Sequence, residues 1–302
     1  MPYHEPVLLA ECLTALDIKS DGVYVDVTFG GGGHSRAILE QLSEQGHLLA
    51  FDQDPDAAAN ARDWPTTNFT FIPANFRYLS RFLRLHGYPL VDGILADLGV
   101  SSHQLDVPER GFSFREDAPL DMRMNAQQPL SAAGLLETAS LEELHRIFGM
   151  YGDVRNAKTL AAALLQARAQ APIQTTFDLR RVAEGLAPKH REFKYLAQVF
   201  QAIRIAVNEE VQVLEEFLQQ VPEVLKPQGR LVVMAYHSTE DRLVKHFIQK
   251  GKFGGDLETD LRGQPLRPLI PLTRKPITAD PTACAANPRA RSAKLRIAQK
   301  AD

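Results

Sequence analysis

The chain has 302 residues, 44% of them hydrophobic, and a net charge of −3, which is ample for a buried core and not the balance of a uniformly basic nucleic-acid binder. Apolar runs such as Leu231 to Tyr236 are far too short to span a bilayer, and the first residues, with Glu5 and Glu11, do not resemble a signal peptide. Cys12, Cys284 and nine scattered histidines show no metal-ligand spacing, so a cytoplasmic protein with no metal site and no membrane contact is expected.

In chain order, a β-rich run from Val23 stops in four consecutive glycines, Gly30 to Gly33. Glycine reaches positive φ cheaply and lets backbone N–H groups approach a bulky ligand, which simple chain reversal does not need. Ser35 to Leu42 has helical apolar spacing, and His47 to Phe51 reads as a second buried strand ending at Asp52. An acid about 20 residues beyond such a turn is placed to accept two ribose hydroxyls of an adenosine cofactor. With Gly30 and Gly32 as the first two glycines, the third dinucleotide-fingerprint position falls on Ser35, which disfavours NAD. No Lys-Ser or Lys-Thr pair follows, so a Walker loop fails as well. An adenosine ligand without phosphates remains, and S-adenosylmethionine fits.

Asp54-Pro55 opens a helix with a good N-cap and proline at the first helical position. Phe69 to Ile72, Val91 to Asp97 and Arg230 to Tyr236 read as the third, fourth and fifth strands, in the alternation of a doubly wound α/β sheet. Between the last two strands, Leu141 to Phe148, Lys158 to Ala171 and Thr176 to Ala187 carry helical spacing, and that interval is longer than a crossover requires. It reads as an inserted helical domain. The proline-rich stretch Gln264 to Pro288 reads as irregular, followed by a last strand, Lys294 to Ala298.

Ligands of open α/β sheets sit beyond the carboxyl ends of the strands, which draws attention to Asp97-Leu98-Gly99-Val100-Ser101 and to Tyr236-His237-Ser238. Ser238-Thr239-Glu240-Asp241 reads as a capping box. Two segments are basic: Arg180, Arg181, Lys189, Arg191, Lys194 and Arg204 in the first, and Arg274, Lys275, Arg289, Arg291, Lys294, Arg296 and Lys300 in the second. They are read either as one face for a phosphate backbone or as solvated surface.

Several blocks in order resemble a known family. They are His4-Glu5-Pro6-Val7-Leu8-Leu9, Thr28-Phe29-Gly30-Gly31-Gly32-Gly33-His34-Ser35, Asp92-Gly93-Ile94-Leu95-Ala96-Asp97-Leu98-Gly99-Val100-Ser101-Ser102, Arg110-Gly111-Phe112-Ser113-Phe114 and Pro119-Leu120-Asp121-Met122-Arg123-Met124. Phe200-Gln201-Ala202-Ile203-Arg204-Ile205-Ala206-Val207-Asn208, His237-Ser238-Thr239-Glu240-Asp241-Arg242 and Asn287-Pro288-Arg289-Ala290-Arg291-Ser292 complete the set. Together they are similar to the bacterial S-adenosylmethionine-dependent methyltransferases that modify the exocyclic N4 amine of one cytosine in small-subunit (16S) ribosomal RNA. Tyr195-Leu196-Ala197-Gln198-Val199 departs from the family's usual pattern.

The resemblance implies a class I methyltransferase, a Rossmann-like doubly wound sheet with an inserted helical domain. Residues 1–108 and 206–302 would form the core and 109–205 the RNA-recognition insertion. By motif position it implies Gly32, Gly33 and His34 as cofactor-loop contacts, Asp52 as ribose ligand, and Phe76, Asp97 and Gln104 as further S-adenosylmethionine contacts. The implied partner is 16S rRNA within the small ribosomal subunit, bound by a monomer or homodimer. Direct transfer to a weakly nucleophilic amine needs alignment and a proton acceptor, and Asp97, Ser101, Asp121, Asn208 and His237 are the candidates. Asp97 also reads as a cofactor or loop ligand, Asp121 as a partner of Arg123, and Phe112 and Phe114 as base-framing or core residues. A small-molecule methyltransferase and a catalytically silent RNA-binding protein remain as alternatives, disfavoured by the two basic segments and by the intact glycine loop with Asp52.

Overall fold

A computed structural model describes residues 6–65 and 67–301; His4 and Glu5 of the opening motif lie outside them. The described chain forms two compact units, Met1–Gly99 with Val211–Asp302, and Val100–Glu210.

The first unit is built on seven strands: β1 Val23–Asp26, β2 His47–Phe51, β3 Phe69–Ile72, β4 Val91–Asp97, β5 Leu225–Ala235, β6 Leu269–Pro271 and β7 Lys294–Lys300, ordered β3-β2-β1-β4-β5-β7-β6. The first five are parallel, and β7 runs antiparallel to both β5 and β6. This is the doubly wound class I arrangement expected. The chain leaves β1 for β2 and β3 on one side, then returns to β4 on the other, so the topological switch point lies between β1 and β4.

Alternate residues of each strand feed opposite faces, as the two-residue period demands. Leu49, Phe51, Ile94, Ala96, Leu231 and Val233 join one apolar cluster, and Leu48, Ala50, Leu95, Val232 and Met234 join another. Helices Leu79–Leu85, Glu210–Val224 and Ser238–Lys250 supply the first cluster's cover, through Leu83, Phe217 and Phe247 among others. Helices Leu9–Leu16 and Gly33–Leu39 cover the second with Cys12, Leu16 and Ile38. Burial on both faces is why these strands read as continuous apolar runs.

Three readings are corrected in this unit. β5 begins at Leu225, not Arg230, and its pairing with β4 slips between Val91 and Gly93; Pro227 and a left-handed Gln228 (φ +62°) gave that stretch a turn-like composition. The segment expected to be irregular holds the edge strand β6, only three residues long and ending in Pro271, as edge strands tolerate. The cap of helix Ser238–Lys250 is His237 with Glu240, not Ser238 with Asp241. Among the described residues no helix is long and apolar enough to cross a membrane.

The second unit is helical: Ser102–Asp106, Ala132–Thr138, Leu141–Gly152, Ala157–Gln170, Thr176–Glu184 and Glu192–Val207. Capping boxes at Ser140/Glu143 and Thr175/Asp178 start two of these helices, and Leu144, Phe148, Leu160, Leu179, Val199 and Ile203 fill its core. The expected divisions after residues 108 and 205 both fall inside this unit. Val100 and Leu105 pack on its core, and Val207 belongs to that core, so apolar burial carries both boundaries outward.

Candidate active site

The glycine turn begins where β1 ends. Buried Asp26 accepts hydrogen bonds from Thr28 N–H (3.0 Å), Thr28 Oγ1 (3.3 Å) and Ser35 Oγ (2.6 Å), which fixes both sides of the loop. Gly30 and Gly32 have φ of +52° and +78°. A Cβ on Gly32 would lie 2.5 Å from the Trp64 ring, and one on Gly33 would lie 2.4 Å from Pro6 Cγ. At these two positions the close backbone approach is to the protein's own rings.

Asp52, at the end of β2, grips the same loop. Its Oδ2 accepts from Gly30 N–H (2.8 Å) and its Oδ1 from Asp54 N–H (2.9 Å). Burial pushes its pKa up to about 6, against the pull of the hydrogen bonds from Asp54 and Gly30. Next to it, Gln53 Oε1 accepts from Asn75 Nδ2 (3.0 Å). Asn75 caps the short turn that begins at Phe76, whose ring meets Phe217 edge-on at 5.3 Å.

Asp97 ends β4 and is tied to the loop after β1 by its N–H, which donates to Thr28 Oγ1 (2.7 Å). Its Oδ1 accepts from the Tyr236 hydroxyl (2.8 Å), and its Oδ2 lies 3.7 Å from His34 Nδ1. His34 Nε2 faces the Val7 carbonyl at 3.2 Å; a carbonyl only accepts, so Nε2 is the donor of that contact. Burial raises Asp97 to about 6, although the charge of His34 and the hydrogen bond from Tyr236 pull the other way, and Asp26 and Glu240 add to the rise. Burial and the Asp97 charge push the Tyr236 phenol far up, so it stays a donor.

Tyr236 went unassigned in the sequence. The one signal was an aromatic at a strand end whose hydroxyl needs a partner once buried. Its neighbour His237 is a cap: Nδ1 accepts from Glu240 N–H (3.4 Å), and Nε2 lies 3.0 Å from Glu240 Oε1 without hydrogen-bond geometry. Glu240 Oε2 in turn accepts from the N–H groups of Tyr236 (2.9 Å) and His237 (3.4 Å). Thus Gly32 to His34, Asp52, Asp97, Tyr236 and His237 all follow the carboxyl ends of strands in one unit, with Phe76 linked through Asn75 and Gln53.

The remaining expected site residues belong to the second unit. Ser101 Oγ accepts from Gln104 N–H (3.1 Å), while Gln104 Oε1 accepts from Ser101 N–H (3.0 Å), a reciprocal capping box. Asp121 binds Arg123 through Nε (2.9 Å), Nη2 (2.7 Å) and the backbone N–H (3.0 Å). Burial alone would raise Asp121, yet the Arg123 hydrogen bonds outweigh it and hold the carboxyl below its ordinary range. Buried Asn208 accepts from Met124 N–H (2.7 Å) and donates to the carbonyls of Met122 (2.8 Å) and Arg204 (2.9 Å), which clasps a loop whose Met122 has φ +60°. Phe112 is buried in the unit's core.

Parts of both basic segments are internally neutralised. Arg296 is only 9% exposed and lies 2.7 Å from Asp241, which Lys294 also reaches at 3.1 Å. Arg204 pairs with Glu210 (2.7 Å) and Arg180 with Glu184 (2.6 Å). Arg296 and Arg204 therefore do not belong to a free phosphate-facing surface. Composition counts charges and cannot show their partners.

The family described as "MraW methylase family" matches residues 1–301. "Ribosomal RNA small subunit methyltransferase H" of Cytophaga hutchinsonii is 55% identical over 99% of this chain and 99% of its own. The protein of the same name from Flavobacterium johnsoniae is 53% identical over 99% and 98%. A Streptococcus mutans protein whose structure was solved in complex with SAH aligns over 98% of this chain and 99% of its own, at 11% identity and a TM-score of 0.43.

Proposed function

Because this chain belongs to the MraW methylase family, we propose that it methylates the exocyclic N4 amine of one cytidine in 16S rRNA of the small ribosomal subunit, in the cytoplasm, using S-adenosylmethionine. Relatives more than half identical over nearly the whole chain bear the name of a small-subunit rRNA methyltransferase, which supports an rRNA substrate. The observation that carries the cofactor half is the placement of Asp52 and Asp97 at the ends of β2 and β4, the strands on either side of β1, which leads into the glycine turn.

The residues present suit the cofactor. Asp52 spends one acceptor direction per oxygen on backbone N–H groups and keeps lone pairs for ribose hydroxyls. Gly99 (φ +96°) has only Tyr236 Cδ2, at 3.7 Å, near where a Cβ would stand, which leaves room beside Asp97. When bound, S-adenosylmethionine supplies an electrophilic methyl group on a sulfonium.

Asp97 is the group assigned to take the amine proton. A carboxyl near pKa 6 is mostly ionised at neutral pH and more basic than an ordinary aspartate, as general-base work requires. The other candidates are otherwise engaged: Ser101 and His237 in caps, Asn208 in its clasp, and Asp121 held acidic by Arg123. The helical unit, residues 100–210, is assigned to RNA recognition.

Tyr236 is a positioning residue for Asp97. Removing its hydroxyl takes away a hydrogen bond that favours the carboxylate, so Tyr236→Phe should move the acidic limb of the kcat/KM–pH profile upward from about 6, by roughly half a unit to one unit. The plateau at higher pH should change little. A limb that stays in place removes Tyr236 from the mechanism. The function itself is tested by incubating the protein and labelled S-adenosylmethionine with purified small subunits that lack the modification. Label is expected in the RNA, and label only in a small-molecule acceptor refutes the reading.

A further inference from the structure

We infer that Phe193, with the cations around it, is a stacking platform for an unpaired base of the RNA substrate. The inference rests on the RNA reading above and adds a site to it. Phe193 is 64% exposed at the start of helix Glu192–Val207, the one phenylalanine among the exposed large apolar side chains of the described residues. Its ring is not loose. It meets Phe114 edge-on at 5.2 Å and 68°, and Phe114 meets core residue Phe200 in the same way at 5.2 Å and 65°. Phe114 and Phe200 complete the packing, so burial does not explain why a third ring extends the row into solvent.

The charge beside it identifies the occupant. Lys189, Arg191 and Lys194 are exposed in the same stretch, and none has an ion-pair partner among the described residues. Glu192, the acid between them, accepts from His190 N–H at Oε1 (3.0 Å) and offsets one of the three charges, so the stretch keeps a positive excess. The turn that presents these side chains is closed by Arg191 N–H donating to the Pro188 carbonyl (3.0 Å), with His190 at φ +63°. A fixed aromatic face in a stretch with an excess of cations suits single-stranded RNA, whose bases stack while its phosphates need counter-charge. Protein interfaces, by contrast, are depleted in lysine at their centres.

The test is equilibrium binding of the full chain to a small-subunit rRNA transcript across several salt concentrations. Phe193→Leu keeps the apolar bulk and removes the stacking face, so affinity should fall roughly five- to hundredfold with the salt slope unchanged; Phe193→Trp should restore it. Replacing Lys189, Arg191 and Lys194 by Ala should instead flatten the slope, by up to about 0.7 per lost phosphate contact. Wild-type affinity in Phe193→Leu, no measurable binding of the transcript by the wild type, or a defect seen only with assembled subunits would each overturn the platform, the last because it marks a protein contact. Methyl incorporation by the same wild-type preparation separates the two proposals. Its absence alongside a Phe193 effect refutes the activity, and its presence without one refutes the platform.

Discussion

Asp97→Asn should reduce methyl transfer by roughly two to four orders of magnitude, the usual worth of a positioned general base, and should make the protein more stable at neutral pH. The folded-state pKa is raised from 3.8 to about 6. Relative to the unfolded chain, this carboxyl therefore contributes stability below its unfolded pKa, and that contribution is lost as pH rises through about 6. At pH 7.5 the native state carries a partly desolvated anion at a cost on the order of 1 to 3 kcal/mol. A neutral isostere that still accepts from Tyr236 removes this cost. Tm should rise by a few degrees at pH 7.5 and converge with wild type near pH 4. Loss of activity together with a lowered Tm at pH 7.5 would mean that Asp97 is a structural ligand of the loop and not a strained reactive group.

Asp52→Ala should weaken S-adenosylmethionine binding roughly tenfold to a hundredfold, the equivalent of about 1 to 3 kcal/mol for hydrogen-bond donors left unsatisfied. The truncation also strips the acceptors of Gly30 N–H and Asp54 N–H, so part of the loss comes through the loop. Asp52→Asn keeps one acceptor oxygen and should lose less. Calorimetry on both variants, with thermal melts to confirm folding, separates the contributions. Unchanged affinity in Asp52→Ala would exclude this carboxylate from the cofactor site.

What the sequence disclosed was local. The run of β2, the glycines after β1 and the carboxylates that end β2 and β4 are features of a few consecutive residues. Partners distant in the chain were hidden. Tyr236 and Asp97 lie 139 residues apart, and nothing in either segment announces the other. Arg296 looked like part of a basic surface because Asp241, 55 residues away, becomes its neighbour only once β7 is placed beside β5. The cap at His237 is hidden too, because serine is the commoner capping residue and stands next to it at Ser238. The choice is made by Glu240, which satisfies the N–H groups of both Tyr236 and His237. The outward boundaries of the helical unit follow from burial of Leu105 and Val207, which chain order alone does not reveal.

The most direct test of direct transfer to the amine is nucleoside analysis of the labelled RNA. Methylation at the ring carbon would employ a thiolate to activate the pyrimidine. Cys12 is fully buried, and desolvation pushes its thiol far above the ordinary range, so it does not supply that thiolate. Cys284 lies on helix Pro281–Ala286, outside the strand ends that carry Asp52 and Asp97. Mass spectrometry of the digested RNA should find N4-methylated cytidine as the product; recovery of 5-methylcytidine, or of no methylated cytidine at all, would contradict direct transfer to the exocyclic amine.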